Sequence, residues 1–197
     1  MISKVIVASN NKNKIREIKA KLAGIDIEVL SQREAGFDIE VDETGTTFEE
    51  NSMLKAKAIY ELAKTPVIAD DGGLEIDFLD GAPGVYSARF CGHDATDRDR
   101  YMKILELMKD VEGEKRAARF RCILTYIDEN GVAHQFEGIC NGKIAKEPMG
   151  NNDFGYDPIF MVGDKSFAEI SEEEKNKISH RGLAVEKWVE YLKNNEK

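Results

Sequence analysis

Two acids close an apolar run in Val67-Ile68-Ala69-Asp70-Asp71, and Gly72 and Gly73 follow at once. With Pro66 in front, the run reads as a buried strand that ends at the acids. A carboxylate at such a position is costly unless a cation or hydrogen bonds offset its desolvation. The two glycines allow the backbone to turn sharply or to approach a ligand closely. Open α/β sheets hold ligands at the carboxyl ends of their strands. An acidic turn that merely follows a strand has the same appearance, so other residues must decide.

Four other clusters carry chemistry. Ser9-Asn10-Asn11-Lys12-Asn13-Lys14 joins an apolar strand to a helix, with small polar side chains and two lysines. A hydroxyl, helix-start amides and an ammonium together make a phosphate cradle, although the run has no glycines and no P-loop signature. A solvated turn with a helix cap reads the same way. Glu43, in Asp42-Glu43-Thr44-Gly45, can join Asp70 and Asp71 as an oxygen donor to a divalent ion, or stand as an ordinary loop acid. Phe154-Gly155-Tyr156-Asp157 places an aromatic and an acid in a turn-rich stretch, suited to stacking on a base and accepting from its edge, or to tucking under a loop. Lys175 and Ser179-His180-Arg181 form a late basic cluster that suits a phosphate, a base edge or a helix cap.

The rest of the chain bounds what these clusters can serve. The 37 acidic residues against 28 basic ones give a net charge of −9, which argues against a nucleic-acid-binding face. A phosphate-bearing small molecule then requires a local basic cluster, a metal, or both. No apolar run reaches membrane-span length and the N-terminus lacks a signal-peptide pattern, so a cytoplasmic protein without membrane attachment is expected. Cys91, Cys122 and Cys140 are widely spaced and read as free thiols. His93, His134 and His180 are scattered, which disfavours zinc.

Periodicity supplies the elements that must position the clusters. It predicts a strand over 4–9, a helix ending at Gly24, and a short strand over 27–30. Thr47-Phe48-Glu49-Glu50 reads as a capping box that opens a helix through Ala63. The Val67 strand, a helix over 96–109, and an alternating strand from Ala118 follow. Asp128-Glu129-Asn130-Gly131 turns that strand into another over 132–139, and a strand over 158–162 comes next. A last helix over 183–192 uses Val185, Trp188, Val189 and Leu192 as its core stripe, with a frayed tail over 193–197. The order predicts a single α/β domain over 1–197 with a mixed sheet.

Taken in order, the motifs resemble one family. They are Ser9-x-Asn11-x-x-Lys14, Glu43-Thr44-Gly45-x-Thr47-Phe48-x-Glu50-Asn51, Ala69-Asp70-Asp71-Gly72-Gly73-Leu74, the stretch from Gly81 to Arg89, Phe154-Gly155-Tyr156-Asp157 and Ser179-His180-Arg181. Together they resemble the Ham1/RdgB/ITPase family of inosine and xanthosine triphosphate pyrophosphatases. At Gly72 the bacterial members commonly carry a serine, and the backbone amide is retained. The resemblance implies an elongated mixed sheet flanked by helices, with two lobes, a central cleft and a homodimer. It also implies house-cleaning hydrolysis of XTP, ITP and dITP to the monophosphate and pyrophosphate. In that reading Lys14, Lys175 and the amides after Ser9 offset the triphosphate charge around Mg²⁺ held near Glu43 and Asp71. Asp71 deprotonates the attacking water, and Asp70 shares the metal or remains a structural acid. Ser9, Asn10, Asn11, Lys12, Asn13 and Gly72 line the phosphates. Phe154 stacks on the purine, beside Gly155 and Tyr156 of the same loop, with Asp157, His180 and Arg181 near its edge and phosphates. Two other classes remain open: a Maf-like pyrophosphatase for other modified nucleotides, and a non-catalytic nucleotide-binding module.

Overall fold

The computed structural model describes residues 2–92 and 94–195; Met1, His93, Glu196 and Lys197 lie outside the described residues. The strands are β1 (Lys4–Val7), β2 (Glu28–Ser31), β3 (Val67–Ile76), β4 (Ala117–Ile127), β5 (Ala133–Ile144), β6 (Phe160–Val162) and β7 (Lys165–Ser166). The helices are α1 (Lys12–Lys21), α2 (Phe48–Ala63), α3 (Asp97–Leu107), α4 (Glu172–Ile178) and α5 (His180–Asn195). One seven-stranded sheet runs in the order β2-β1-β3-β4-β5-β6-β7. β1 pairs in parallel with β2 and β3, whereas β6 pairs antiparallel with β5 and β7. The expected mixed α/β sheet with flanking helices is therefore what the chain forms.

The chain divides into two compact units. The first comprises residues 1–71, 122–138 and 180–197, and the second 72–121 and 139–179. In the first unit, alternation along the strands sends successive side chains to opposite faces. Val5, Val7, Ile68, Cys122, Leu124 and Tyr126 pack with Ile18 of α1 and with Val185, Trp188 and Leu192 of α5. Ile6, Ala8, Val67, Ala69 and Ile127 pack instead with Ala56 and Ile59 of α2. The second unit has its own core, in which Leu74, Ile76, Phe120, Phe160 and Phe167 meet Tyr101, Ile104 and Met108. Arg116 is buried there, and its guanidinium donates to the carbonyls of Met108, Val111, Ile144 and Ala145.

Several boundaries differ from the sequence expectation. β3 does not end at the acids but continues through Asp70, Asp71, Gly72 and Gly73 to Ile76. Gly73 serves a close approach within that strand: a Cβ there would stand 2.5 Å from the Gly84 carbonyl oxygen and against Ser87. The glycine thus admits the chain's own Gly84–Ser87 turn, where Leu74 N–H donates to Ser87 Oγ at 3.0 Å. At α2, Thr47 accepts the Glu50 amide as a cap should, but Glu50 reaches back to the amide and hydroxyl of Thr46. α4 was not foreseen, although Ser171 and Glu174 form a reciprocal capping box at its start. α5 begins three residues earlier than expected, which brings His180 and Arg181 into its first turn. It also continues to Asn195, so the described part of the expected frayed tail is helical.

Candidate active site

The first unit gathers the charged residues. Asn11 caps α1, and its Oδ1 accepts the amides of Asn13 and Lys14 at 3.0 and 3.2 Å. Ser9 Oγ accepts the Asn11 amide at 3.1 Å, and the Asn10 side chain donates to the Ile39 carbonyl at 3.2 Å. Much of the expected amide cradle is therefore occupied by its own side chains. A cavity of about 550 Å³ opens beside this turn, lined by Ser9, Asn10, Lys12, Arg16, Lys19 and Arg33, together with Glu34.

Asp70 and Asp71 follow the alternation of β3. Asp70 falls on the face of Ile68, where Lys14 Nζ lies 3.1 Å and Arg181 Nε 3.0 Å from its Oδ2. Arg181 also donates through Nη1 to Glu17 of α1, so a guanidinium bridges two buried carboxylates. Burial opposes ionisation of Asp70, but Lys14 and Arg181 outweigh it and hold the carboxyl below the ordinary range. His180, the first residue of α5, is buried beside them in sequence.

Asp71 falls on the face of Ala69. Its Oδ1 lies 3.4 Å from Lys55 Nζ of α2, and the same ammonium lies 2.6 Å from Glu43 Oε1. Its Oδ2 is buried and has no hydrogen-bond partner. Burial pushes the Asp71 carboxyl up, Lys55 and Lys14 oppose that shift, and the charges of Glu43 and Asp70 add to it. Among the described residues no three acids, histidines or cysteines form a metal cluster. The expected set of Glu43, Asp70 and Asp71 is thus divided: Asp70 is held by Lys14 and Arg181, while Glu43 and Asp71 share Lys55.

The second unit gathers the aromatic loop. Phe154, Gly155, Tyr156 and Asp157 lead into a 3₁₀ turn over Asp157–Ile159. Lys175 of α4 is buried, lies 2.6 Å from Asp157 Oδ2, and stands 5.0 Å from the centre of the Phe154 ring. Asn152 donates to the same Asp157 oxygen at 3.4 Å. Tyr156 faces inward, with its hydroxyl on the Ser87 carbonyl at 2.8 Å, and so supports the loop from beneath. Gly72 lies on β3 just after Asp71.

Lys55 and Glu17 were missed from sequence. Lys55 follows the buried Asn51 and Ser52 by four and three residues, which places a lysine on the inward stripe of α2. Glu17 stands three residues after Lys14 and beside the buried Ile18, an acid on the packed side of α1. A charge on an apolar stripe was the available signal in both cases.

A mixed α/β sheet that sets a buried carboxylate beside a lysine, with an aromatic loop and a buried lysine elsewhere in the chain, has charges of the kind that suit a phosphate-bearing ligand. Residues 5–191 match the Ham1 family, and the chain belongs to that family. It is 46% identical to a dITP/XTP pyrophosphatase of Clostridium perfringens, with 98% of each chain covered. It is 44% identical to that of Escherichia coli K12, covering 98% of this chain and all of the relative. Among solved structures, a HAM1 protein from Coxiella burnetii superposes with a TM-score of 0.88 at 38% identity, covering 98% of this chain and all of that one. The Ham1 protein of Staphylococcus aureus gives 0.86 at 38% identity with the same coverage.

Proposed function

We propose that this protein hydrolyses deaminated purine nucleoside triphosphates, XTP, ITP and dITP, to the monophosphate and pyrophosphate, and so keeps them out of DNA and RNA. The observation that carries the reading is Asp71, a buried carboxylate with one oxygen on Lys55 and the other without a partner. Its pKa is raised by burial, which strengthens it as a base. The names of the relatives, dITP/XTP pyrophosphatases over nearly the whole chain, supply the substrate class.

The partnerless Asp71 oxygen and the neighbouring Glu43 carboxylate fit a Mg²⁺ ion, which takes one or two carboxylates and otherwise waters and substrate phosphates. Such an ion supplies charge neutralisation and lowers the pKa of water. Asp71 accepts the proton of the water that attacks the α-phosphorus. Lys14 and Lys55 offset the charge that builds on the phosphates. Phe154 stacks on the purine, while His180 and Arg181 serve the base edge and phosphates. Asp70, Glu17 and Asn11 hold these cations and the start of α1 in place. The whole chain acts as one catalytic domain, as a homodimer in the cytoplasm.

The test is pyrophosphate release with Mg²⁺ over ATP, GTP, ITP, XTP and dITP, repeated in ¹⁸O-labelled water. A preference for ITP, XTP and dITP, with label only in the monophosphate, is the expected result. Equal kcat/KM across all five, or label in pyrophosphate, rules the reading out. Light scattering checks the dimer: a 22.1 kDa species alone at micromolar concentrations contradicts it.

A further inference from the structure

The loop that carries Phe154 is tied to α3 by a carboxylate that no sequence motif pointed to. Gly155 N–H donates to Asp97 Oδ2 at 2.8 Å. The other oxygen of Asp97 accepts from Arg100 Nη1 at 2.7 Å, three residues along the same helix. Gly155 has a φ of +59°, in the left-handed region that favours glycine. Glycine can leave that region at little cost, so the bond to its N–H is what fixes the orientation of the peptide between Phe154 and Gly155. That peptide sets the direction in which the Phe154 side chain leaves the chain. A second, longer contact joins the same elements, Tyr101 hydroxyl to Asp153 Oδ1 at 3.3 Å.

We propose that Asp97 is a positioning residue for base recognition: by accepting the Gly155 amide, with its rotamer fixed by Arg100, it holds Phe154 in the orientation that stacks on the purine. The inference rests on the stacking role of Phe154 proposed above. An aspartate suits the task because its two oxygens serve the loop and the arginine at once, and a charged acceptor strengthens both bonds. Lys175, 5.0 Å from the ring centre and paired with Asp157, holds the same aromatic from α4. Loop and ring are thus gripped from two helices of one unit. Asp97 has no contact of its own to make with the base.

The experiment measures kcat and KM for ITP in the wild type, Asp97→Ala, Asp97→Asn, Phe154→Ala and the double variant Asp97→Ala/Phe154→Ala. Stacking of a base on an aromatic is strong enough that losing its alignment changes affinity about fivefold or more. Asp97→Ala is expected to raise KM by about that factor with kcat within about twofold of wild type. Asp97→Asn, whose side-chain oxygen still accepts from Gly155, recovers most of the loss. In the double variant the effect of Asp97→Ala disappears, because there is no ring left to align. The capping box of Thr96 with Asp99 remains in every variant, so the start of α3 is preserved. An unchanged KM in Asp97→Ala, or additive effects in the double variant, overturns the proposal while Phe154→Ala still raises KM. If Phe154→Ala itself leaves KM unchanged, the stacking reading falls, and the Asp97 proposal falls with it.

Discussion

Asp70 and Asp71 are consecutive in the chain and are in direct contact with different cations. Asp70 Oδ2 lies 3.1 Å from Lys14 Nζ and 3.0 Å from Arg181 Nε, whereas Asp71 Oδ1 lies 3.4 Å from Lys55 Nζ. The cause is the pleat of β3, which sends one carboxylate to the side of α1 and α5 and the next to the side of α2. Burial is common to both, but at Asp71 the opposing effect of Lys55 and Lys14 is itself countered by the charges of Glu43 and Asp70. Three charged partners, Lys14, Arg181 and Lys55, hold Asp70 ionised despite its burial, while Asp71 remains raised.

Two substitutions of the same kind should therefore fail differently. Asp71→Asn is expected to fold with an unchanged urea midpoint and to lose turnover by about 10² to 10⁴, the usual effect of removing a general base. Asp70→Asn leaves Arg181 and Lys14 short of a buried counter-charge and should cost roughly 3 kcal/mol of stability. Urea unfolding and kcat measured on both variants check the pair. An Asp70→Asn protein that is fully stable but inactive would reverse the two roles.

Lys55 should control the pH at which Asp71 works. Its ammonium opposes the upward push of burial on Asp71. In Lys55→Met that opposition is gone, and the Asp71 carboxyl rises further. The base acts when ionised, so the acid limb of the kcat/KM profile is expected to move to higher pH. Lys55→Arg, which keeps the charge, should leave the limb near its original place. A limb that stays fixed in Lys55→Met would separate Asp71 from the base role.

How much of this was legible in sequence depended on whether the cause was local. The helix start at Asn11, the core stripe of Val185, Trp188 and Leu192, and the strand from Val67 each follow from neighbours in the chain. The motif residues were likewise visible as residue types. What could not be read was which carboxylate meets which cation, since Asp70 and Arg181 are 111 positions apart. The close approach of the Gly84–Ser87 turn to Gly73 was hidden for the same reason, because it joins residues that are not neighbours in the chain. Arg116 is the extreme case, a buried guanidinium whose four carbonyl partners are spread over residues 108 to 145. α4 is the exception, because Ser171-x-x-Glu174 was a readable start signal.

The thiols offer a check on the packing of both cores. Burial first, and then the nearby Asp70, push the Cys122 thiol up to about 12, while burial alone pushes Cys140 up to about 11. A raised folded-state pKa means stability that is fully present below the unfolded thiol value and is lost as pH rises from about 9 towards 11 to 12. At pH 8, iodoacetamide should therefore label the exposed Cys91 quickly. Cys122 and Cys140 should react only after unfolding in urea. Peptide mapping of the labelled sites distinguishes them, and native labelling of Cys122 at the Cys91 rate would contradict the buried first-unit core.

Gly138 lies against the start of α5, and this contact tests whether that helix start serves the site. A Cβ at Gly138 would stand 2.6 Å from the Ala184 amide nitrogen and would collide with the His180 carbonyl oxygen. Both obstacles are backbone, so neither can swing aside as a flexible side chain would. In Gly138→Ala the first turn of α5 must move off the sheet, and His180 and Arg181 move with it. Overpacking of this kind typically costs about 1 to 3 kcal/mol, which thermal unfolding will register as a lower midpoint. The displacement should also loosen the pairing of Arg181 with Asp70 and Glu17. Well below the new midpoint, kcat/KM for ITP is then expected to fall, since the loss comes from a shifted folded state and not from unfolded protein. A lowered midpoint with unchanged kcat/KM would show that the first turn of α5 can move without consequence for the chemistry, and would remove Arg181 and His180 from the proposed site.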